Sequence, residues 1–338
     1  MKRLFFSVII LLVAGIVCEA CTSAIVAASR SASGRPILWK NRDTGADNNF
    51  LARVEPTDST FGFIGLFNAG DSALSEAWMG MNDAGFAIMN TASYNLAPDT
   101  AAYKDREGAV MAAALARCRT AADFEQLLIS WPRPMGVQAN FGVIDAEGGA
   151  AYFETDDYSW TRFDVADDPR GYIVRTNFSV SGVPGEGYGY IRYIAAEHLM
   201  EEAAEIEPEL FVRGLSCSYY HGLTGHDYLA EGERYVSDRD FIPRDITTAS
   251  IAVEGVCSSA DVRQMTMWTV LGYPLCAPLY KVTGACIPAD LGPGSPGWRS
   301  KACEESMRLR DAARPFTGGS GPNYLDLDKI RENLIRLR

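Results

Sequence analysis

The sequence predicts an α+β domain of stacked layers. Short apolar runs separated by turn chemistry fill the first ninety residues, amphipathic helical patterns follow at 109–130, and strand patterns return at residue 140. Strands, then helices, then strands is the order expected when helices cover the faces of sheets. With 338 residues, 47% hydrophobic and 22% charged, the chain can bury a large core as one layered domain. It contains no internal repeat.

The elements follow in order. Residues 23–28 and 36–40 are apolar runs, and Ser31-Ala32-Ser33-Gly34-Arg35 between them predicts a hairpin turn. Strands are expected at 61–67 and 77–81, then a turn at Asn82-Asp83-Ala84-Gly85 and a strand at 86–90. The Ala-, Leu- and Met-rich stretch 109–117 predicts a helix. Thr120-Ala121-Ala122-Asp123 has the spacing of an N-terminal cap for a second helix at 124–130, which Pro132 and Pro134 stop. A hairpin is expected from 140–144 and 150–155 around Asp145-Ala146-Glu147-Gly148-Gly149. Beyond it lie a strand at 172–176, a helix at 191–204, and strands at 249–253 and 265–271. Two amphipathic helices, 301–314 and 325–338, flank Pro315 and a Gly318-Gly319-Ser320-Gly321-Pro322 linker, and their charged faces read as solvated surface.

Residues 1–20 read as a signal peptide. Lys2 and Arg3 precede an apolar run over 4–17, and the small residue Ala20 closes the segment. The run is too short for a span that needs roughly 20 helical residues, so export to a periplasm or beyond the cell is expected rather than stable membrane insertion. The organisation is then a signal peptide at 1–20, a principal domain at 21–286 and a helical extension at 287–338 packing on it. Acylation at Cys18 or Cys21 is the competing reading of the same segment. Val17 before Cys18, and Cys18-Glu19 before Ala20-Cys21, suit that processing poorly.

The formal charge of −12 argues against a nucleic-acid partner, which needs a basic stripe. Cys118, Cys217, Cys257, Cys276, Cys286 and Cys303 permit disulfides in an exported chain, although each serves equally well as a small buried apolar residue. No CxxC pair occurs, and His198, His221 and His226 form no metal-ligand spacing, so no metal or cofactor is expected. A serine-hydrolase elbow, GxSxG, is missing. A homo-oligomer is left open.

Cleavage after Ala20 would make Cys21 the terminal residue, with a thiol and an α-amine on one residue. Their ordinary pKa values, about 8.5 and about 7.7–8.0, are close enough for proton exchange near neutral pH. A carboxylate brought back by the first hairpin can orient that amine, and Asp43 in Asn41-Arg42-Asp43 is the candidate. Its structural alternative is a turn-capping aspartate before Thr44-Gly45.

Cys21-Thr22-Ser23 with Asn41-Arg42-Asp43, Gly80-Met81-Asn82-Asp83-Ala84-Gly85 running on to Asn90, Arg175-Thr176-Asn177-Phe178, and Tyr190-Ile191-Arg192-Tyr193 fall in one order along the chain. In that order they resemble the N-terminal nucleophile cysteine hydrolases of the choloylglycine hydrolase, penicillin V acylase and isopenicillin-N acyltransferase type, which are related to secreted dipeptidases. The resemblance runs from Cys21 to roughly Tyr280, its later segments are less specific, and residues 287–338 match no part of it. It implies a four-layer αββα sandwich of two antiparallel sheets between helical layers. It also implies Cys21 as nucleophile, Asp43 as orienter of its amine, Asn90 as oxyanion donor, Asn177 as a second amide in the site and Arg192 as its electrostatic organiser. The family has an arginine immediately before the Asn-x-Asp motif, where this chain has Lys40, with Arg42 inside the motif. Lysine keeps the charge and loses the planar fork. Lys40 and Arg42 are expected to contact substrate or lower the thiol pKa, and Trp78 and Tyr94 to line an acyl site, for which Phe141, Tyr188 and Tyr190 are further candidates.

The resemblance thus implies an exported amidohydrolase. It would cleave the C–N bond of a small-molecule linear amide through a Cys21 thioester, on N-acyl amino acid, bile-salt, β-lactam or peptide-like substrates. Within the same superfamily the alternatives are a dipeptidase and an acyltransferase. Outside it stands a catalytically inactive envelope binding protein or lipoprotein.

Overall fold

The computed structural model describes residues 20–98, 100–284, 286–315 and 324–337. Residues 1–19 of the expected signal peptide, with Cys18, and the 318–322 linker lie outside the described residues. The described chain forms strands β1 (Thr22–Val26), β2 (Ile37–Asp43), β3 (Asn49–Val54), β4 (Phe63–Asn68), β5 (Met79–Asn82) and β6 (Ala87–Ala92) before helices α1 (Glu107–Arg117) and α2 (Ala121–Ser130). Strands β7 (Ala139–Ile144), β8 (Ala150–Thr155), β9 (Trp160–Asp164) and β10 (Tyr172–Arg175) lead to helix α3 (Tyr190–Glu201). Strands β11 (Tyr235–Ser237), β12 (Thr247–Glu254), β13 (Thr266–Leu271) and β14 (Tyr280–Thr283) precede α4 (Lys301–Ala312), β15 (Tyr324–Asp326) and α5 (Leu327–Leu337).

Two antiparallel sheets carry the fold. One has the order β10-β1-β2-β12-β13-β14, the other β3-β4-β5-β6-β7-β8-β9. Strand alternation divides the first sheet's side chains between two cores. Ile25, Leu38, Ile251 and Val253 face the second sheet, while Ala24, Val26, Ile37, Trp39 and Ala252 pack with α3 and a π-helical turn at Leu210–Gly214. Covered on both faces, these strands read as continuous apolar runs rather than alternating ones. The second sheet packs against α1 and α2. A Cβ on Gly80 of β5 would stand 2.6 Å from Leu115 Cδ1 of α1, so the glycine sets how closely the helix lies on the sheet. The result is a four-layer αββα sandwich.

The α2 cap forms as its sequence predicts. Thr120 Oγ1 accepts from the Asp123 amide at 3.1 Å, and Asp123 Oδ2 accepts from the Thr120 amide at 3.0 Å. Strands β3 and β9 have no counterpart in the pattern reading. Arg53 interrupts β3, and β9 is an edge strand whose Arg162 pairs with Asp164 and Glu125. The expected helix at 325–338 begins instead as β15, which pairs with β11 and buries Leu325 before α5 starts at Leu327. Helix α4 buries Ala302, Cys303 and Met307, and α5 buries Ile330 completely. Among the described residues no helix is long and apolar enough to cross a membrane.

Among the described residues Cys118, Cys217, Cys257, Cys276, Cys286 and Cys303 form no disulfide. Burial pushes the Cys118 and Cys276 thiols up to about 12 and those of Cys217 and Cys303 up to about 11. These four act as apolar filling.

Phe124 of α2 packs edge-on against Phe141 and Phe153, with ring centroids 5.6 and 5.1 Å away. Phe124→Ala should lower the unfolding free energy by about 3–5 kcal/mol. Ile129→Ala, on the same helix at a position 55% exposed, should change it by less than about 0.5 kcal/mol. Urea titration followed by circular dichroism measures both, and equal losses would contradict this placement of the buried face.

Candidate active site

The first hairpin builds the site. Thr22 stands opposite Asn41 and Ser23 opposite Lys40, so the end of β2 returns to the residue that precedes β1. The Cys21 thiol donates to the Asp43 carbonyl oxygen at 3.7 Å. Alternation then separates the side chains. Ser23, whose hydroxyl meets Tyr152 of β8 at 2.9 Å, faces the second sheet, and Cys21, two residues earlier, falls on the same side. Asp43 is in step with Asn41 and Trp39 and falls on the α3 side.

Arg192 reaches this junction from the first turn of α3. Its Nη1 donates to the Ala20 carbonyl at 2.7 Å, the Cys21 carbonyl at 2.8 Å and Thr22 Oγ1 at 2.8 Å, and its Nη2 donates to Asn177 Oδ1 at 2.7 Å. The guanidinium is buried. Gly189 makes this approach possible: its φ of +89° opens the helix, and a Cβ there would stand 2.6 Å from Arg192 Nη2. Asn177 follows the end of β10 and donates from Nδ2 to the Ala92 carbonyl at 2.9 Å, which ties the two sheets together at the site.

Asp43 is wholly buried. Its Oδ1 accepts from Thr247 Oγ1 at 2.6 Å and from Asn41 Nδ2 at 3.0 Å. Its Oδ2 has no hydrogen-bond partner among the described residues, and Arg244 Nη1 stands 3.9 Å away. Burial pushes the carboxyl up from 3.8 to about 6, against the pull of Arg244, Arg192 and the Thr247 hydroxyl, with Asp245 adding to the rise.

On the inter-sheet side, Lys40 Nζ donates to Asn90 Oδ1 at 2.7 Å and to the Trp78 carbonyl at 3.1 Å. An ammonium has no acceptor, so the Asn90 atom that faces it is the amide oxygen, and the NH2 end is turned the other way. Arg42 donates to Asn49 Oδ1 and, at 2.9 Å, to Asn68 Oδ1, and its guanidinium lies 4.9 Å from the Trp78 ring centroid. Lys40, Arg42 and Trp78 are all buried in these contacts.

A cleft of about 520 Å³ opens beside Ala20 and is lined by Tyr188, Tyr190, Arg192, Arg239 and Arg244 among others. Of the four residues read as substrate contacts, none lines this cleft. Tyr94 packs edge-on against Tyr188, which does, with centroids 5.4 Å apart, and itself lines a neighbouring depression with Pro98 and Pro184. The structure therefore brings Cys21, Asp43, Asn177 and Arg192 together and places Lys40 and Asn90 against each other. Thr247 and Arg244 join the site without having been singled out. Thr247 lies two residues before the strand expected at 249–253, and no local pattern marks Arg244.

No family model matches the chain, and no curated protein does. Among solved structures it is similar to a Caenorhabditis elegans ortholog of N-acylethanolamine-hydrolyzing acid amidase, at 16% identity over 73% of this chain and 99% of that one, with a TM-score of 0.46. A conjugated bile acid hydrolase from Clostridium perfringens is similar at 11% identity over 77% and 92% of the two chains, TM-score 0.46. Penicillin V acylase from Agrobacterium tumefaciens is similar at 11% identity over 78% and 86%, TM-score 0.41.

The raised Asp43 pKa has a definite sign for stability. The folded chain holds this proton more tightly than the unfolded one, so the burden is absent below 3.8, builds as pH rises toward 6 and is full above it. With the Ala20–Cys21 bond intact, Asp43→Asn should gain on the unsubstituted chain by on the order of 3 kcal/mol between pH 4 and pH 7. Urea midpoints at the two pH values measure the gap, and a gap independent of pH would contradict the assignment.

Proposed function

We propose that this chain is a cysteine amidohydrolase that cleaves linear amides through a thioester at Cys21 and acts after export. The observation that carries the reading is the meeting at Cys21 of a buried guanidinium, which holds its backbone, and the end of β2, whose Asp43 carbonyl takes the thiol and whose buried carboxyl keeps one oxygen without a hydrogen bond among the described residues. Loss of the residues up to Ala20 turns the Cys21 nitrogen from a peptide amide into an amine. Protonated, that amine would supply a hydrogen-bond donor for Asp43 Oδ2, which has none among the described residues, and Arg192 keeps the Cys21 backbone in place.

The steps follow from these roles. The amine takes the thiol proton and the sulfur attacks the amide carbonyl, forming the S–C bond while the carbonyl π pair moves to oxygen. The Asn90 NH2, oriented by Lys40, donates to the developing oxyanion. The C–N bond then breaks, and the leaving nitrogen takes the proton held by the Cys21 ammonium. Water repeats the sequence on the thioester and releases the acid. An amine in place of water would make the same enzyme an acyltransferase, and a dipeptide substrate would make it a dipeptidase.

Cys21→Ala should abolish cleavage of N-acyl amino acids and related amides. Asn90→Ala should lower kcat by about 10²–10³ with little change in KM. Lys40→Met should lower kcat in the same sense by freeing the Asn90 amide to rotate. Steady-state kinetics on a panel of amides checks all three, and a Cys21→Ala protein that retains activity would sink the proposal.

A further inference from the structure

The cleft beside Ala20 holds charge that the proposed chemistry does not use. Arg239, on the short turn Asp238–Asp240, is exposed, lines the cleft, and has no hydrogen bond or ion pair among the described residues. Arg244 stands beside it in the cleft wall with a buried Nε that has no hydrogen-bond partner among the described residues, and its Nη1 is 3.9 Å from Asp43 Oδ2. Arg192, already engaged at the Cys21 backbone, lines the cleft with them, and the one carboxylate in this lining is Asp240, which is exposed and itself unpaired among the described residues, while Asp43 is buried next to Arg244. This is a cationic spot on a chain of net charge −12, beside the residue that bears the proposed nucleophile. Its walls include Tyr188 and Tyr190, 58% and 36% exposed, which offer apolar surface next to the charge.

We propose that Arg239, backed by Arg244, forms an anion subsite that selects amides carrying a carboxylate beside an apolar group. The inference rests on the amidohydrolase reading and adds to it the residue that sets specificity. An arginine fork binds a carboxylate through two parallel N–H···O bonds, whereas an uncharged carboxamide of the same shape can accept at only one oxygen and brings no charge. In an acidic protein, such a concentration of positive charge draws anions to the cleft beside Ala20 over a field that elsewhere repels them. Arg239 touches no reacting atom in this account and acts on substrate choice alone.

The test uses matched amide pairs. N-hexanoyl-phenylalanine and N-hexanoyl-phenylalaninamide differ only in a carboxylate on the amine side. The mono(2-phenylethylamide) of hexanedioic acid and hexanoyl 2-phenylethylamide differ by one on the acyl side. Binding is measured by calorimetry on the Cys21→Ala protein, and cleavage on the unsubstituted one. The acid member of at least one pair should bind about tenfold tighter than its neutral partner, with the preference falling as salt is raised. Arg239→Met should bring that pair to parity while cleavage of the neutral member stays unchanged, and Arg239→Lys should restore part of the preference. Equal binding within both pairs, or a preference that survives Arg239→Met, overturns the subsite. Preference without any cleavage leaves the subsite standing and removes the amidohydrolase, whereas cleavage without preference does the reverse.

Discussion

The structure around Cys21 depends on one buried guanidinium. Arg192 donates to two consecutive backbone carbonyls, a threonine hydroxyl and the Asn177 side chain, all at 2.7–2.8 Å. A planar fork with five donors can satisfy this set, and an ammonium cannot do so in the same plane. The cation is itself held by a left-handed glycine that opens α3 and by an asparagine that follows β10 and bonds Ala92 at the end of β6. Removing the arginine would leave buried carbonyls and Asn177 without their donor, a loss of several charge-assisted bonds at once. The backbone at Cys21 is fixed by the same contacts that fix the helix on the sheet.

Strand alternation then divides the labour. On the α3 side of the first sheet lie Asp43, Asn41, Thr247 and Arg192, a network that handles charge at the Cys21 backbone. On the inter-sheet side lie the thiol, Lys40, Asn90 and the Arg42–Trp78 stack. The peptide unit at Cys21 sits between them, which suits a residue whose sulfur and nitrogen have different tasks. The buried polar groups on both sides are costly unless paired. Asp43 Oδ2 stands out among them, with no hydrogen-bond partner among the described residues and Arg244 Nη1 3.9 Å away.

The hairpin, the turn at 31–35, the α2 cap and the order of the motifs were legible because each rests on local chemistry or a short return of the chain. The edge strand β9 was not, since charged edge residues erase the alternating pattern. Strand β15 was hidden because Leu325 and the helix after it share one apolar rhythm. Arg244 was invisible for a different reason: the carboxyl it meets, Asp43, comes from the far end of the sequence on β2, and no local pattern encodes that meeting. Lys40, Arg42 and Trp78 show the complementary limit. Sequence places them near Cys21, but only packing reveals that their polar atoms are directed to Asn90, Asn49, Asn68 and a backbone carbonyl.

The most direct test of the account is to quench the protein with acid during turnover of an amide substrate and map the acyl group by peptide mass spectrometry. The account predicts a peptide that begins at Cys21 and carries the acyl mass in a linkage that hydroxylamine removes. Turnover by a chain in which Cys21 is still joined to Ala20, or an acyl group on any other residue, would contradict it.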